Sequence, residues 1–362
     1  MKKSFTQRKI ETSERKIEIL KDRLKAEKKR LKKLIKEKNM KLIKQSTEIL
    51  DPFDYNQESI LKRIELIGRV CYKSEDKITE DSAEKFVKML IKNGHESVLE
   101  HINFCVVFTV PNAFHSYILN DLHAMSQAGR GFESTWIHQM ITDENQFTIL
   151  FNARTLRDWL FNSVAPLTRN IALEIKKVCP LLLEDLLSHV DFSNHFSESI
   201  VNNLRLHQLP TRHPYYCTTV KFVVDRGVSH ELVRHRINAI SQESTRYCNY
   251  KGGITFIIPL WTNIRPGNYL DIEDYDEEHI EKATYAWVKD MINCEKLYKD
   301  MIDIHHWTPQ QARSVLPNSL KTELYLTASR QQWEHIFYMR CAPGAHPQMK
   351  EVMIPLKEQF GF

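Results

Sequence analysis

The sequence of 362 residues has no hydrophobic run long enough to cross a membrane. Its longest apolar stretches are of the kind FCVVFTV, from Phe104 to Val110, whereas a membrane helix needs roughly 20 apolar residues. The charged N-terminus also lacks the apolar core of a secretory signal peptide. We therefore expect a cytoplasmic protein that is not embedded in a membrane.

Paired cysteines are absent too. The seven cysteines are scattered, odd in number, and never arranged as Cys-x-x-Cys, which indicates reduced thiols rather than a disulfide framework or a structural zinc site. The segment HESVLEH concentrates histidine and glutamate, but His95 and His101 do not have the i, i+4 spacing of a helical zinc-binding pair. No metal site is predicted.

Excess positive charge is missing from most of the chain. The formal net charge of +5 arises because residues 1–50 carry 18 basic and 7 acidic side chains, whereas the remainder is net acidic. An imperfect heptad of Ile10, Ile17, Leu24 and Leu31 predicts that residues 1–50 form a basic helical, coiled-coil-like arm. This arm either pairs or packs as a solvated helix, which we favour, or contacts RNA or a membrane surface.

From about residue 59 the patterns of helices and strands are mixed without regular alternation, which predicts an α+β fold. The patterns predict helices near 59–70, 81–93 and 114–126 and strands at 102–110 and 218–224.

The densest polar segment is SHELVRHRINAISQESTRY, from Ser229 to Tyr247. We expect the consecutive Arg234, His235 and Arg236 to lie on a helix, followed by a loop rich in hydroxyl and amide groups. Guanidinium forks and hydroxyls suit a phosphomonoester, although a structural cluster of ion pairs would also use these residue types. Both interpretations stay open on this segment alone.

The segment RHRINAISQESTRYCNY resembles the signature of flavin-dependent thymidylate synthases. Two further segments resemble the family in the same order along the chain, NGHESVLEH at 93–101 and QQARSVLPNSLKTELYLTASRQQWEHIFYMRCAPGAHPQMKEVM at 310–353. The resemblance implies a mixed or antiparallel sheet flanked by long helices. It also implies reductive methylation of dUMP to dTMP, with FAD as cofactor and NADPH and 5,10-methylenetetrahydrofolate as co-substrates, on a homotetramer.

The resemblance also implies which residues form the site. The expected flavin contacts are His95, Ser97, Glu100, Asn152, Arg154, Arg234, His235, Arg236, Gln242 and His335. The expected nucleotide contacts are Glu231, Arg234, Gln242, Glu243, Ser244, Thr245, Arg246, Arg313 and Arg340. Arg340 and His95 are predicted to be catalytic, with the cation of Arg340 stabilising the ionised uracil ring.

The chain departs from the family pattern at several positions. Ala239 occupies the place of the motif serine, and Ser329 and Gln331 stand where the family has Asn-x-Arg. We expect Ala239 to alter positioning more than chemistry. The departures would also permit a related C5 modification such as hydroxymethylation, or a non-catalytic homologue that binds nucleotide or RNA.

The third departure lies between residues 104 and 220. When residues 107–130 are laid on 221–244, Phe108 pairs with Phe222, and Asn120-Asp121-Leu122 falls on the Arg-His-Arg triplet. The segment FNARTLRDWLF, which carries Asn152 and Arg154, resembles the missing Asn-x-Arg strand and helix.

We therefore predict a degenerate tandem duplication, with halves at 51–213 and 214–362 whose retained residues complement each other. In that arrangement a dimer of chains could replace the tetramer. The alternative is an inserted subdomain whose resemblance to Asn-x-Arg arose by chance.

Overall fold

The computed structural model describes residues 40–127, 140–143, 146–162, 165–187, 200–269 and 280–362, together with Lys21 and Leu24. The predicted heptad helix of the arm therefore lies outside the described residues, apart from those two positions. Within the described ranges, none of the helices combines the length and apolarity that a membrane crossing requires.

Helices and largely antiparallel sheets alternate irregularly along the chain, which confirms the predicted α+β fold. The strands are β1 (Met40–Ile43), β2 (Ser46–Ile49), β3 (Asn103–Thr109), β4 (Met140–Asp143), β5 (Gln146–Asn152), β6 (Asn202–Leu206), β7 (Cys217–Asp225), β8 (Ala239–Gln242), β9 (Thr255–Ile257), β10 (Gly267–Tyr269) and β11 (Lys321–Ser329). The helices are α1 (Gln57–Val70), α2 (Ser82–Lys92), α3 (His115–Gln127), α4 (Ala153–Asn162), α5 (Pro166–Val178), α6 (Glu184–Leu187), α7 (Arg226–Leu232), α8 (Lys282–Asp303), α9 (Pro309–Ala312), α10 (Arg330–Arg340) and α11 (Pro347–Gln359).

Helix α1 shows how the sequence sets such bounds. Asn56 caps its N-terminus by accepting the backbone N–H of Ser59, and Ile60, Ile64 and Ile67 are fully buried on one face. A Cβ atom at Gly68 would come within 2.7 Å of the Phe86 ring. Glycine at this position therefore allows α2 to pack closely against α1.

The chain divides into two compact units. The small unit comprises Met1–Lys44 and Thr245–Lys321, and the large unit comprises Gln45–Ser244 and Thr322–Phe362. In the small unit, β1 lies between β10, to which it is antiparallel, and β9, to which it is parallel. The buried carboxylate of Glu295 accepts the backbone N–H of Ile254 at 2.9 Å, which joins α8 to the strands of this unit.

Residues 40–49 differ from the prediction of a helical arm up to residue 50. They form β1 and β2, and the side chains of Met40 and Leu42 are fully buried while Lys41 between them is exposed. This alternation has the period of a strand rather than that of a helix. The arm prediction was wrong here because the short apolar alternation follows directly on a long charged segment.

The large unit contains two four-stranded sheets with corresponding strand orders. The first sheet has the order β4-β5-β3-β6, and the second has the order β8-β11-β7-β2. In each sheet a strand ends at a helix that is followed by a second helix, β5-α4-α5 in the first and β11-α10-α11 in the second. Both of these second helices begin with proline and contain 13 residues.

The junctions between strand and helix also correspond. Asn152 ends β5 and accepts the N–H of Thr155 at 2.8 Å, and Ser329 ends β11 and accepts the N–H of Gln332 at 3.2 Å. Both side chains are therefore N-caps, which the short polar side chains of Asn and Ser favour. The two sheets thus end in the same local geometry despite different sequences.

The outer strands are arranged reciprocally. Strand β2 precedes all strands of the first sheet in the chain but pairs with β7 of the second, and β6 immediately precedes β7 but pairs with β3. Leu50 donates its N–H to the Thr219 carbonyl at 2.9 Å, and His207 donates its N–H to the Cys105 carbonyl at the same distance. Each sheet therefore has as its outer strand one that lies, in the chain, next to the elements of the other sheet: β2 for the second sheet and β6 for the first.

Asp225 offers a test of the junction between β7 and α7. Its Oδ1 accepts the N–H of Val228 and its Oδ2 accepts Nε2 of Gln348, both at 2.6 Å. Asp225→Ala removes both bonds, so we expect the free energy of unfolding to fall by about 2 kcal/mol in urea titrations. Asp225→Asn keeps the cap and should lose less than half of that. Equal losses in the two variants would contradict the capping role.

Candidate active site

The Arg-His-Arg triplet does not lie on a helix as predicted. Helix α7 ends at Leu232, and the three residues form a turn that leads through Ile237, whose φ is +59°. The left-handed backbone there is incompatible with a continuing helix and redirects the chain into β8. The predicted loop also begins later than expected, because Ser241 and Gln242 belong to β8 and pair with β11.

Arg340, at the end of α10, lies at the centre of a hydrogen-bonded cluster. Its Nη1 donates to the Glu231 carboxylate and its Nη2 to the Glu231 carbonyl, both at 2.7 Å, and its Nε donates to His235 Nε2 at 2.8 Å. A guanidinium has five N–H donors, so two remain beyond these bonds within the described part of the chain. The cluster fixes a partly buried cation with donors left for a ligand.

His235 is held neutral in this cluster. Burial, the Arg340 cation and His335 together lower the pKa of His235 to about 4. Because Nε2 accepts from Arg340, the ring proton is on Nδ1. The ring of His335 approaches edge-on at 6.0 Å between centroids, which brings this predicted flavin contact beside His235.

Arg234 and Arg236 differ from Arg340 in their surroundings. Both side chains are exposed, and neither forms an ion pair with the residues that the structure describes. By contrast, Arg340 is matched by a carboxylate at 2.7 Å. Two exposed guanidinium groups two residues apart are suited to phosphate oxygens.

Strand β8 and the residues after it are held by several polar contacts. Gln242 Nε2 donates to the hydroxyls of Ser229 at 3.0 Å and Thr322 at 3.1 Å, which ties β8 to α7. Glu243 is buried, with Lys73 Nζ 3.9 Å from its carboxylate. The N–H of Ser244 donates to the Cys71 carbonyl at 3.1 Å. Gln242 and Ser244 are therefore held in place, while Glu243 faces a protein cation.

Ala239, in place of the motif serine, is buried in β8 opposite Thr327 of β11. The position therefore contributes a buried methyl group to a paired strand, in place of a hydroxyl.

HESVLEH forms a short 3-10 helix, Glu96–His101, which packs against β8. His101 is fully buried, and its ring nitrogens contact Ser241 Oγ at 3.0 Å and Thr327 Oγ1 at 2.7 Å. Burial and the nearby Arg63 cation lower the pKa of His101 to about 3, so the imidazole is neutral. The sequence reasoning did not assign His101 to the site; its signal was its place as the second histidine of the motif.

The other predicted residues of HESVLEH lie nearer the surface. His95 and Ser97 are exposed, and His95 Nδ1 is 2.8 Å from the Tyr72 hydroxyl, with the two rings stacked. Glu100 is half-buried and forms an ion pair with Arg154. Tyr72 was not predicted, because nothing in its local sequence connects it with a segment more than 20 residues away.

The predicted residues from the Asn-x-Arg segment are divided between two roles. Arg154 extends toward Glu100, whereas the side chain of Asn152 is buried as the cap of α4. Close by, the nearly buried Arg157 binds Asp185 at 2.7 Å and Glu96 at 3.2 Å, which anchors the 3-10 helix. The structure therefore joins HESVLEH to the Asn-x-Arg segment through two ion pairs.

Thr245, Arg246 and Arg313 belong to the small unit. Arg313 Nη1 donates to Thr245 Oγ1 at 3.2 Å, and the Arg246 guanidinium lies 5.3 Å from the ring centre of Tyr247. Both arginines are exposed. Across the residues that the structure describes, no group of His, Cys, Asp and Glu has an arrangement suited to a metal ion.

A family model described as thymidylate synthase complementing protein matches residues 54–121 and 182–361, well over half of the chain. The match includes HESVLEH, the Arg-His-Arg turn and Arg340. Residues 122–181, which carry Asn152 and Arg154, lie outside it.

Curated relatives include flavin-dependent thymidylate synthases of Geobacter sulfurreducens, 27% identical over 134 residues, and Pyrococcus furiosus, 31% identical over 139 residues. These alignments cover 37% of this chain and 51% and 50% of the two relatives, so the chain spans about half the length of the curated relatives it matches. A solved structure of thymidylate synthase X from Helicobacter pylori with FAD and dUMP is 18% identical, with a TM-score of 0.29 over 39% of this chain and 66% of that chain.

The charge of Arg340 can be tested through His235. Arg340→Gln removes a cation beside the imidazole, which lowers the cost of protonating the ring. We expect the pKa of His235 to rise from about 4 toward the ordinary value of about 6.5, as followed by NMR of the histidine rings against pH. The matched control is Arg330→Gln at the other end of α10, where the guanidinium donates to the Phe360 carbonyl. It should leave His235 unchanged, and a value still near 4 in Arg340→Gln would contradict the cluster.

Proposed function

Because this chain belongs to the family of the thymidylate synthase complementing proteins, we propose that it is a flavin-dependent thymidylate synthase. The reaction is the reductive methylation of dUMP to dTMP, with 5,10-methylenetetrahydrofolate as carbon donor, FAD as cofactor and NADPH as reductant. The named relatives catalyse thymidylate synthesis with a flavin, and the solved relative holds FAD and dUMP.

The Arg340 cluster is the observation that carries the proposal. Attack from C5 of a uracil ring requires negative charge to develop on the ring oxygens, and a fixed cation stabilises that charge most effectively. Glu231 and His235 hold the guanidinium through three hydrogen bonds, so its orientation costs little during the reaction. The His235 imidazole is neutral, so it does not repel the Arg340 cation that it helps to hold.

The residues present suit a flavin dinucleotide. The exposed Arg234 and Arg236 provide guanidinium donors for a diphosphate, and the exposed His95 and Ser97 provide polar groups for a ring or ribose. FAD, when bound, supplies the hydride transfer of the reaction. The chain's own residues then bind it, orient it and keep a cation near the pyrimidine.

The phosphate of dUMP calls for hydroxyl and guanidinium donors. By the family resemblance, Ser244, Thr245, Arg246 and Arg313 stay the predicted phosphate contacts, with Gln242 as a predicted nucleotide contact. Glu243 stays a predicted nucleotide contact by sequence position, although its carboxylate is buried beside Lys73. Ala239 removes a hydroxyl from a paired strand, so the proposal assigns no chemical step to that position.

The cellular setting follows from the same proposal. dTMP is a precursor for DNA synthesis, and the substrates of the reaction are small soluble molecules, so we place the enzyme in the cytoplasm. The resemblance to the family implies a homo-oligomer. Its partner is the nucleotide monomer rather than a nucleic acid polymer.

The activity can be tested with purified protein, FAD, NADPH, methylenetetrahydrofolate and dUMP, with the product identified by mass. We expect a yellow flavoprotein that forms dTMP. Arg340→Gln should lower the rate on the order of 100-fold or more, because a fixed cation is lost at the reacting ring. Arg330→Gln should keep the rate. A product heavier by one oxygen would indicate hydroxymethylation, and a colourless protein that FAD does not reconstitute would reject the proposal.

A further inference from the structure

The two sheets of the large unit correspond in hydrogen bonds as well as in strand order. Ala153 donates its N–H to the Ile102 carbonyl, and Arg330 donates its N–H to the Tyr216 carbonyl, both at 2.8 Å. Each bond ties the first residue of a helix, α4 or α10, to the start of the neighbouring strand, β3 or β7. The two bonds make Ile102 equivalent to Tyr216.

The edge strands correspond residue by residue in the same way. Leu206 is opposite Val106 in the first sheet, and Ile49 is opposite Val220 in the second. Val106 and Val220 are separated by the same 114 residues as Phe108 and Phe222 in the sequence comparison. A chance insertion would not reproduce this register.

We infer that the large unit contains two copies of one ancestral module, and that the chain keeps one composite flavin and nucleotide site where two such modules would form two. This inference rests on the proposed function. It assigns Asn152 and Arg154 of the first copy to the same site as Arg234, His235 and Arg340 of the second.

A continuous series of contacts builds the retained site from both copies. In the first copy, Arg154 forms an ion pair with Glu100 on the 3-10 helix. The next residue, His101, contacts Ser241 of β8 in the second copy at 3.0 Å. The candidate flavin residues of the first copy are therefore fixed directly beside the motif strand of the second.

The series continues within the second copy. Gln242, next to Ser241, donates to Ser229 of α7 at 3.0 Å. Helix α7 also carries Glu231, which binds Arg340 at 2.7 Å. Four side-chain contacts, together with residues that are adjacent or two apart in the chain, thus connect Arg154 and Glu100 of the first copy to Arg340 of the second.

A second site, related to the first by the duplication, would use the second-copy positions that match Glu100, Asn152 and Arg154, and these positions carry other residues. The bonds that match Ile102 with Tyr216 place Pro214 at the position of Glu100, and the matched caps place Ser329 and Gln331 at the positions of Asn152 and Arg154. The carboxylate of Glu100 and the guanidinium of Arg154 thus have uncharged residues, Pro214 and Gln331, at the matching positions.

The Arg-His-Arg turn has likewise been replaced in the first copy. Asn120, Asp121 and Leu122 occupy its positions, and residues 102–127 contain neither lysine nor arginine. Asp121 is buried and accepts the N–H of Leu167 at 3.1 Å, which satisfies a donor at the start of α5. Thr142 of β4 is opposite Phe147 of β5, and Gln242 of β8 is opposite Leu324 of β11. Because Phe147 and Leu324 both lie five residues before the matched caps, Thr142 is the first copy's equivalent of Gln242.

The losses are therefore not distributed at random. The retained residues include those that join Arg154 and Glu100 to Arg340, and the changed residues are those that would form the counterpart site. One functional site per chain follows, with the first copy supplying Glu100, Asn152 and Arg154.

The test measures how many molecules of FAD bind per chain, by absorbance after removal of free flavin and by titration of the flavin-free protein. We expect one FAD per chain. The double variant Asn152→Ser, Arg154→Gln places in the first copy the residues that the second copy has at the matching positions. Serine can keep the helix cap, as Ser329 does in the second copy. We expect FAD affinity to fall about tenfold or more in this double variant, because a guanidinium donor is lost.

The matched control is the reverse substitution, which places the first copy's residues at the matching positions of the second copy. Ser329→Asn with Gln331→Arg should leave both the affinity and the count of one unchanged. Thermal unfolding of each variant shows whether it is folded. A count of two in the unmodified protein would overturn the inference even if a variant does not fold, and support for it requires the loss of affinity in a folded Asn152→Ser, Arg154→Gln protein.

Two FAD molecules per chain, or an unchanged affinity in a folded Asn152→Ser, Arg154→Gln protein, would overturn the inference while leaving thymidylate synthesis intact. One FAD per chain that depends on Asn152 and Arg154, without dTMP formation, would support the composite site and reject the proposed reaction. A protein that binds no FAD would reject both.

Discussion

The reciprocal pairing of the edge strands is the constraint on which the rest of the large unit depends. An unpaired edge exposes a row of backbone donors and acceptors, and here β2 closes the second sheet while β6 closes the first. Neither sheet is completed by the strand that directly precedes its own elements in the chain. Each sheet therefore takes its outer strand from outside its own run of elements, and the 3-10 helix Glu96–His101 packs against β8 of the second sheet. Residues from distant parts of the sequence can then share one site without a flexible connection.

A buried neutral histidine makes that junction specific. The ring nitrogens of His101 contact hydroxyls of Ser241 and Thr327, and Thr327 in turn contacts Thr219 at 2.7 Å. Burial and the nearby Arg63 cation lower the pKa of His101 to about 3, so the ring is neutral near neutral pH. A neutral imidazole has one donor and one acceptor nitrogen, and hydroxyls can serve as either partner, so the ring joins the two hydroxyls without placing a charge in the core. Apolar side chains could fill the same space, but they would not set the register of β8 against the 3-10 helix.

The sequence was sufficient for the α+β class and for most helices near 59–126, and the family resemblance placed Arg340, Glu231 and His235 among the candidate site residues. Sequence reasoning failed where tertiary contacts override a local pattern: the Arg-His-Arg turn reads as helix, but the chain must bend at Ile237 to enter β8. The same limit applies to Tyr72 and Arg157, because their partners are distant in sequence and their own neighbourhoods carry no motif. Motifs predict which residues take part in the same site, whereas the pairing of the strands decides which of these residues are in contact.

The arginines show how the surroundings of a charge separate structural from ligand-binding roles. Arg157 is nearly buried, and its guanidinium donates to Glu96 of the 3-10 helix and to Asp185, whereas Arg234 and Arg236 are exposed. Arg340 lies between these extremes, anchored by Glu231 but with donors to spare. The first copy shows what becomes of such a position when no ligand requires it. Asp121, at the place of His235, is buried and satisfies a backbone donor of α5. A position that loses its ligand is thus available to stabilise the fold, and the fold of the first copy can persist without its own nucleotide site.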